Sequence, residues 1–466
     1  MLSISNPPLH LSTRKISMGK PHAIMVPFPM QGHIIPLMEL AQCLAKHGIK
    51  ITFVNTEINH DRVQAFSGNE ALDDRIRLVS VPDGLESSER YIPEKFMETV
   101  YEIMPRNIEE LIQEINASNE DKITCVIYDQ CLGRIQEVAE KLGVGSAAFC
   151  AAAAALLVLG FNIPRLIEDG IIDNEGSPLN NNNIFQLNPT MPIISPSDFV
   201  WNRSKISAIR KLVFNIMKQN NKFMKSANWL ICNSVHNLEP GAFTVATQIT
   251  PIGPLLSTNR PQNLPDHIQE PDPDCLKWLD QQPPCSVIYI AFGSTTIFNK
   301  NQFQELAMGI EQSNRPFLWV VRPDSDKDFP DGYLDRVTTH GRIVGWAPQQ
   351  RVLSHSSIAC FISHCGWNST LESVSNGVPM LCWPYFADQF INRSYICDTW
   401  KIGLTIDEDE NGVVKFDEIK EKIDRLFEED VFKERALCLK EMISSSASEG
   451  GDSYKNLSNF ISWIRG

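Results

Sequence analysis

Residues 346–389 read WAPQQRVLSHSSIACFISHCGWNSTLESVSNGVPMLCWPYFADQ without a gap. Within this stretch Phe361-Ile362-Ser363 close an apolar run, His364-Cys365-Gly366 turn the chain, and 367–372 open a helix that Gly377 stops. An apolar strand passing through a glycine turn into a helix gathers unpaired backbone N–H groups and the positive end of the helix dipole at one point, which suits a phosphate. The side chains agree. Asn368 and Ser369 stand in the first helical turn with hydrogen-bonding groups for phosphate oxygens. Glu372, one turn on, shares the face of Asn368 and can accept from ribose hydroxyls.

Outward from this segment one pattern repeats. The runs 22–28, 50–55, 76–81, 123–129 and 145–150 read as strands, and 34–47, 93–115 and 134–142 as helices. A second alternating series follows at 287–293, 317–322, 341–345, 358–363 and 379–383, and the tail from 416 is helical in pattern. Both series predict α/β domains, each a parallel, doubly wound Rossmann-like sheet with helices on both faces. Between them, 172–199 is Asn- and Pro-rich and reads as loops at the mouth of a cleft, while 257–273 is polar and proline-containing and reads as a linker.

Size and charge narrow the function. A chain of 466 residues with 43% hydrophobic and 21% charged residues is globular and too long for one small core. Its formal charge of −14 argues against a nucleic-acid or anionic-membrane partner, so a phosphate must be met by local donors. The 12 cysteines are scattered, form no CxxC, and sit largely in apolar runs, which points to reduced thiols and a cytoplasmic location. No apolar run reaches membrane-spanning length; 147–163 is broken by Gly160 and Asn162. Residues 1–17 are Ser-rich and acid-free with Arg14 and Lys15, and read as an upstream extension, with a transit peptide as the alternative.

Two residues stand out for proton chemistry. His33 follows the first strand and a Gly32 turn, ahead of the first helix, which places an imidazole of near-neutral pKa at the carboxyl end of the sheet. Asp129 ends the apolar run Cys125-Val126-Ile127-Tyr128, again at a carboxyl end. A carboxylate there can hold an imidazole in one tautomer and stabilise it once protonated, or simply cap the next helix.

Residues 346–389 as a whole resemble the signature box of the plant family 1 UDP-glycosyltransferases, down to the terminal Asp388-Gln389 pair. Pro27-Phe28-Pro29-Met30-Gln31-Gly32-His33, Pro251-Ile252-Gly253-Pro254-Leu255 and Ala291-Phe292-Gly293-Ser294 extend the resemblance from about residue 18 onward. It implies the GT-B fold: two Rossmann-like domains facing across a cleft. The expected division is an extension at 1–20, an acceptor-binding domain at 21–250, a linker at 251–273, a UDP-sugar-binding domain at 274–450, and a last helix at 451–466 crossing back.

The resemblance also implies roles. Trp346 would stack on uracil and the Ala347 backbone would bond its edge; Gln349 and Glu372 would hold the ribose. Ser294, His364, Asn368 and Ser369 would bind the diphosphate near the Gly366 and Trp367 backbone. Asp388 and Gln389 would bind the sugar, the glutamine favouring glucose. His33 would be the general base and Asp129 its partner, in an inverting transfer to a small hydroxylated acceptor that needs no metal or other cofactor; UDP-glucose is then a substrate, and the protein a monomer. Two positions depart from relatives. Ala151 stands where many have a hydroxyl that touches the sugar, and Arg134 stands where close ones have tryptophan, so that an arginine facing the cleft would favour an acidic or heavily hydroxylated acceptor.

Other readings stay open. His355, Cys360, His364 and Cys365 could suggest zinc, although their spacing fits no common finger. The acidic pairs Asp272/Asp274, Asp324/Asp326 and Asp407/Asp409 have the DxD form of metal-dependent glycosyltransferases but lie in acidic, loop-like stretches. The GxGxxG of a dinucleotide site is missing after the first strand. A UDP-sugar-binding protein without turnover, another donor sugar, and C-, N- or S-glycoside formation are the functional alternatives.

Overall fold

The computed structural model describes residues 21–466 apart from 58, 61–72, 87–88, 90–91, 119–120, 181–183, 257–271, 273, 295 and 323–327. The expected 1–20 extension, most of the 257–273 linker and Asp324/Asp326 lie outside the described residues.

Short runs rich in Ile, Val and Ala, apolar on both faces, form two parallel sheets as buried parallel strands must. The first comprises β1 (His22–Val26), β2 (Lys50–Thr56), β3 (Ile76–Val81), β4 (Cys125–Asp129), β5 (Gly145–Cys150), β6 (Trp229–Cys232) and β7 (Ile249–Pro251), in the order β3-β2-β1-β4-β5-β6-β7. The second comprises β8 (Val287–Ala291), β9 (Phe317–Val320), β10 (Gly341–Val344), β11 (Ile358–Ser363), β12 (Met380–Cys382) and β13 (Gly403–Thr405), in the order β10-β9-β8-β11-β12-β13. In each sheet the order reverses beside its first strand, so β1 pairs with both β2 and β4, and β8 with both β9 and β11. Ligands of open α/β sheets bind at such reversals, where neighbouring loops part. The chain thus has the doubly wound α/β architecture that its alternating pattern predicts, twice over.

The last helix, Asp452–Arg465, lies on the first sheet. Phe460, Ile461 and Ile464 join the core of that sheet, Trp463 packs on Gly145, and Asn456 Nδ2 donates to the Pro251 carbonyl at 2.9 Å. Among the described residues no helix is long and apolar enough to cross a membrane.

Two prolines change the expected helices. The helix after β1 begins at Gln31 rather than at 34, because Met30 in extended conformation makes the turn; Gly32 and His33 therefore sit in its first turn. Pro36 lies inside this helix, where it has no N–H to offer the Gly32 carbonyl. The expected helix over 93–115 is divided into Pro93–Glu98, a π turn at Thr99–Ile103, and Met104–Ala117. Pro105 likewise leaves the Tyr101 carbonyl without a helical donor, and Arg134 Nη1 fills that place at 3.1 Å.

Candidate active site

Parallel pairing of Val26 with Tyr128 brings the loop after β1 against the end of β4. His33 Nδ1 lies 2.8 Å from Asp129 Oδ2, so the nitrogen left for the cleft is Nε2; the side chain of His33 is 25% exposed and that of Asp129 fully buried. The other oxygen, Asp129 Oδ1, accepts from Cys131 N at 2.8 Å and caps the turn Gln130–Leu132. One carboxylate therefore orients the imidazole and caps a turn, one oxygen each. Burial alone would lower the His33 pKa, but the charge and hydrogen bond of Asp129, with Asp388 beyond, raise it above the ordinary value. Phe28 walls one side, its ring centroid 5.1 Å from that of His33.

The second sheet supplies the opposite wall. Ala291 pairs with Ser363, so Gly293-Ser294 after β8 and His364-Cys365-Gly366 after β11 share one edge. The His364 ring fits between two glycines: a Cβ on Gly293 would meet His364 Nε2 at 2.7 Å and one on Gly366 would meet it at 2.6 Å, and Gly293 is also left-handed at φ 69°. Burial lowers the His364 pKa to about 4, so at neutral pH this histidine is uncharged and has one N–H to donate.

A network behind the helix Trp367–Asn376 sets the other polar groups. Gln349 Nε2 donates to Ser369 Oγ at 2.8 Å and to Glu372 Oε2 at 2.6 Å, Gln350 Nε2 donates to Glu372 Oε1 at 3.3 Å, and Tyr289 OH donates to Gln349 Oε1 at 3.2 Å. Both amide hydrogens of Gln349 are committed to holding Ser369 and Glu372, while the Ser369 hydroxyl keeps its own proton to donate. Gln389 Oε1 accepts from Tyr385 N and Phe386 N at 2.7 and 2.9 Å, which leaves its amide hydrogens free to donate outward. Asn392 Nδ2 donates to Asp388 Oδ2 at 2.9 Å. Trp367 Nε1 donates at 2.8 Å to the Asn233 carbonyl on the first sheet's side.

One cleft of about 310 Å³ gathers these groups. His33, Ser294, Trp346, Ala347, Gln349, His364, Gly366, Trp367, Asn368, Ser369, Glu372, Asp388 and Gln389 all line it, and Asp129 stands directly behind His33. Asn368 differs from the reading made of it. Its Nδ2 donates at 2.8 Å across the cleft to the Gly32 carbonyl, the one released by Pro36, so at most one amide hydrogen remains for a phosphate. Ala151 lines the cleft as an apolar wall beside Ala152. Arg134 does not line it; Glu102 Oε1 at 2.5 Å, Glu137 and the Tyr101 carbonyl hold the guanidinium, and the expectation of an acidic acceptor loses its basis.

The zinc reading also dissolves, because His355 bonds Ser357 Oγ and Asp280 Oδ1 while Cys360 is buried within β11. Asp272 pairs with Arg342 at 3.2 Å, and Asp409 accepts from Asn411 N and Val413 N in a tight turn. Among the described residues, the His, Cys, Asp or Glu side chains close enough to share an ion are those of His33, Asp129 and Cys131, their donor atoms all within 4.8 Å of one another. Tyr289 and Asn392 escaped the sequence reading. The visible signal for Asn392 is its place one helical turn after Asp388.

The family model described as "UDP-glucoronosyl and UDP-glucosyl transferase" matches residues 268–446. The chain is 47% identical to UDP-glycosyltransferase 83A1 of Arabidopsis thaliana over 96% of its own length and 97% of that protein's. A Polygonum tinctorium UDP-glucosyltransferase capable of glucosylating indoxyl, solved with 3,4-dichloroaniline, superposes with a TM-score of 0.83 at 28% identity, covering 97% of this chain and 100% of that one. Phytolacca americana UGT2, solved with UDP-2-fluoro-glucose and pterostilbene, gives 0.81 at 26% identity over 96% and 100%. A cleft between two switch points, the 346–389 box and full-length similarity lead to one assignment: the chain is a glycosyltransferase with the GT-B fold and belongs to the plant family 1 UDP-glycosyltransferases.

Proposed function

We propose that this enzyme transfers glucose from UDP-glucose to a hydroxyl of a small plant molecule, such as a flavonoid, stilbene, simple phenol or terpenoid, with inversion to the β-glucoside. The observation that carries the reading is the His33–Asp129 pair, seated at one switch point and facing an anion-ready helix terminus at the other. His33 Nε2 takes the acceptor proton as the acceptor oxygen bonds to the anomeric carbon and the bond from that carbon to the diphosphate oxygen breaks, UDP leaving with the electron pair. Asp129 stabilises the imidazolium. A histidine base contributes ~10²- to 10⁴-fold, or about 3–5 kcal/mol of barrier.

On the donor side, Trp346 stacks on the uracil and Ala347 bonds its edge. Glu372, held by Gln349 and Gln350, takes the ribose hydroxyls. Neutral His364, Ser294, Ser369 and the helix terminus donate to the departing diphosphate. Asp388 accepts from the sugar hydroxyls and Gln389, its oxygen already engaged, donates to them. These groups neutralise the leaving group without a metal, and the donor is the sole co-substrate. The 12 free thiols fit a reducing, cytoplasmic setting, and the enzyme works as a monomer.

An acceptor screen with UDP-glucose tests the reading, with products weighed by mass spectrometry and the anomeric proton coupling read by NMR. A large, axial–axial coupling in a mass-shifted product is expected. Nucleotide binding with no UDP release on any phenol or alcohol would favour a sugar-nucleotide-binding protein without turnover, and an α-coupled product would remove the direct displacement.

A further inference from the structure

Asn392 is 0% exposed in the helix Gln389–Ser394, one turn after Asp388. Its Nδ2 donates twice, at 2.9 Å to Asp388 Oδ2 and at 2.9 Å to the Cys365 carbonyl. Both partners can only accept, so the amide has one orientation here: nitrogen toward them, oxygen away. The oxygen, Oδ1, is buried and has no hydrogen-bond partner among the described residues.

That arrangement costs the fold something. A buried, unmatched carbonyl oxygen is destabilising; a leucine of similar size would remove it, but would leave the two acceptors without their donor. What a leucine cannot do is donate to two loops at once. Cys365 belongs to the left-handed turn (φ 64°) between His364 and Gly366, beneath the helix terminus that faces the cleft. Asp388 lines the same cleft from the next loop.

We propose that Asn392 is a positioning residue for the donor sugar: its amide fixes the distance and direction of the Asp388 carboxylate relative to the diphosphate-facing turn. The proposal rests on the donor-site reading above, in which Asp388 receives the sugar hydroxyls. It makes Asn392 a determinant of sugar use rather than of nucleotide affinity, since uracil, ribose and phosphates meet other side chains.

The electrostatics run the same way. Burial raises the Asp388 pKa, while the hydrogen bond from Asn392 and the proximity of His33 lower it; the Cys131 thiol also senses the Asp388 charge from the acceptor side. Without the amide, Asp388 binds a proton at a higher pH, and a protonated carboxyl no longer offers two acceptor oxygens to a sugar.

The experiment compares Asn392→Leu and Asn392→Asp with wild type in full-length enzyme. Calorimetry gives the affinity for UDP alone, steady-state kinetics give kcat/KM for UDP-glucose and UDP-galactose from pH 5 to 9, and thermal unfolding reports the fold. Asn392→Leu is expected to remain folded and to bind UDP within about twofold. Its kcat/KM for UDP-glucose should fall by roughly 10- to 100-fold, with a smaller preference for glucose over galactose. Asn392→Asp, which keeps the shape and puts a like charge beside Asp388, should lose more in the same direction, and it carries the test if the leucine variant does not fold.

Unchanged kcat/KM and an unchanged preference for glucose in both variants would overturn the proposal. So would an equal loss of UDP and UDP-glucose affinity, the mark of a loop that has merely loosened. Asp388→Asn separates the two levels of argument. If Asp388→Asn uses UDP-glucose like wild type, the donor-site reading itself fails; if it is impaired while Asn392→Leu is not, only the positioning role falls.

Discussion

Replacing Asp129 by asparagine changes one atom, and its effect can be worked out from two distances. The carboxylate accepts from Cys131 N through Oδ1 and from His33 Nδ1 through Oδ2, each at 2.8 Å. An amide has one oxygen for these two donors. The Cys131 N–H is fixed backbone, so the oxygen stays with it and the amide nitrogen turns to His33. Two N–H groups then face each other unless the imidazole moves its proton to Nε2, the atom that must receive the acceptor proton. Keeping the working tautomer against a buried donor–donor contact costs about 1–3 kcal/mol, which makes it ~10- to 100-fold rarer. Loss of a charge-assisted bond to the imidazolium removes about 1.5–3 kcal/mol more at the transition state. Together Asp129→Asn should lower kcat by ~10²- to 10⁴-fold for an aliphatic alcohol.

A nitrophenol, already ionised at neutral pH, needs no base and should lose far less. UDP affinity by calorimetry should hold, because no donor-side group touches Asp129. The pH profile has a definite sign. A base works only when deprotonated, and Asp129 helps to hold the His33 pKa above its ordinary value against burial. Wild-type activity on the alcohol therefore falls as pH drops through that raised pKa, and in Asp129→Asn the limb should move to lower pH even as the plateau falls. An equal loss on alcohol and nitrophenol, or a limb moved upward, would refute the reasoning and reduce Asp129 to a turn cap.

Two further outcomes follow from the same cleft. Pro36→Ala restores an N–H that competes for the Gly32 carbonyl now taken by Asn368, so acceptor kcat/KM should fall roughly three- to tenfold with UDP affinity unchanged, and a double-mutant cycle should show no such effect in an Asn368→Ala background. EDTA should leave the rate of the enzyme unchanged, whereas added Zn²⁺ should inhibit through His33, Asp129 and Cys131, more strongly as pH rises because the thiol must release one proton; Cys131→Ser should raise the inhibitory concentration about tenfold or more relative to its own zinc-free rate.

Local chemistry was legible in the sequence; neighbours were not. The strand, turn and helix around His364-Cys365-Gly366 follow from residue order alone, and so do the short apolar strands. That β4 lies beside β1 does not, because both are apolar on every face and their pairing is set by crossovers that carry no register code. His33 and Asp129, 96 residues apart, were joined by the inference that both sit at carboxyl ends and by the resemblance to relatives that pair them. The prolines show the same division. Pro36 and Pro105 announce orphaned carbonyls at Gly32 and Tyr101, yet which side chain answers them is a tertiary matter, Asn368 from 336 residues away in one case and Arg134 in the other. Whether Arg134 faced the cleft or the surface stayed open in the sequence, because a charged side chain in a helical pattern gives no direction without the carbonyl and carboxylate that hold it.

The two switch points explain why catalysis requires both halves of the chain. On the proposed mechanism, the β1 and β4 loops at the first present a base that acts on a proton, and the β8 and β11 loops at the second present neutral donors that act on a leaving anion. Neither can transfer a sugar alone. Polar contacts join the two halves, among them Asn368 to the Gly32 carbonyl beside His33, Trp367 Nε1 to the Asn233 carbonyl at 2.8 Å, and Trp400 Nε1 to the Leu238 carbonyl at 3.0 Å. Trp367 and Asn368 lie in the first turn of the helix whose terminus faces the cleft, so its anchoring to the first sheet and its aim into the cleft are one geometry. A substitution that loosens these contacts should therefore reduce transfer while sparing nucleotide affinity, because the nucleotide is held within one half and the reaction spans two.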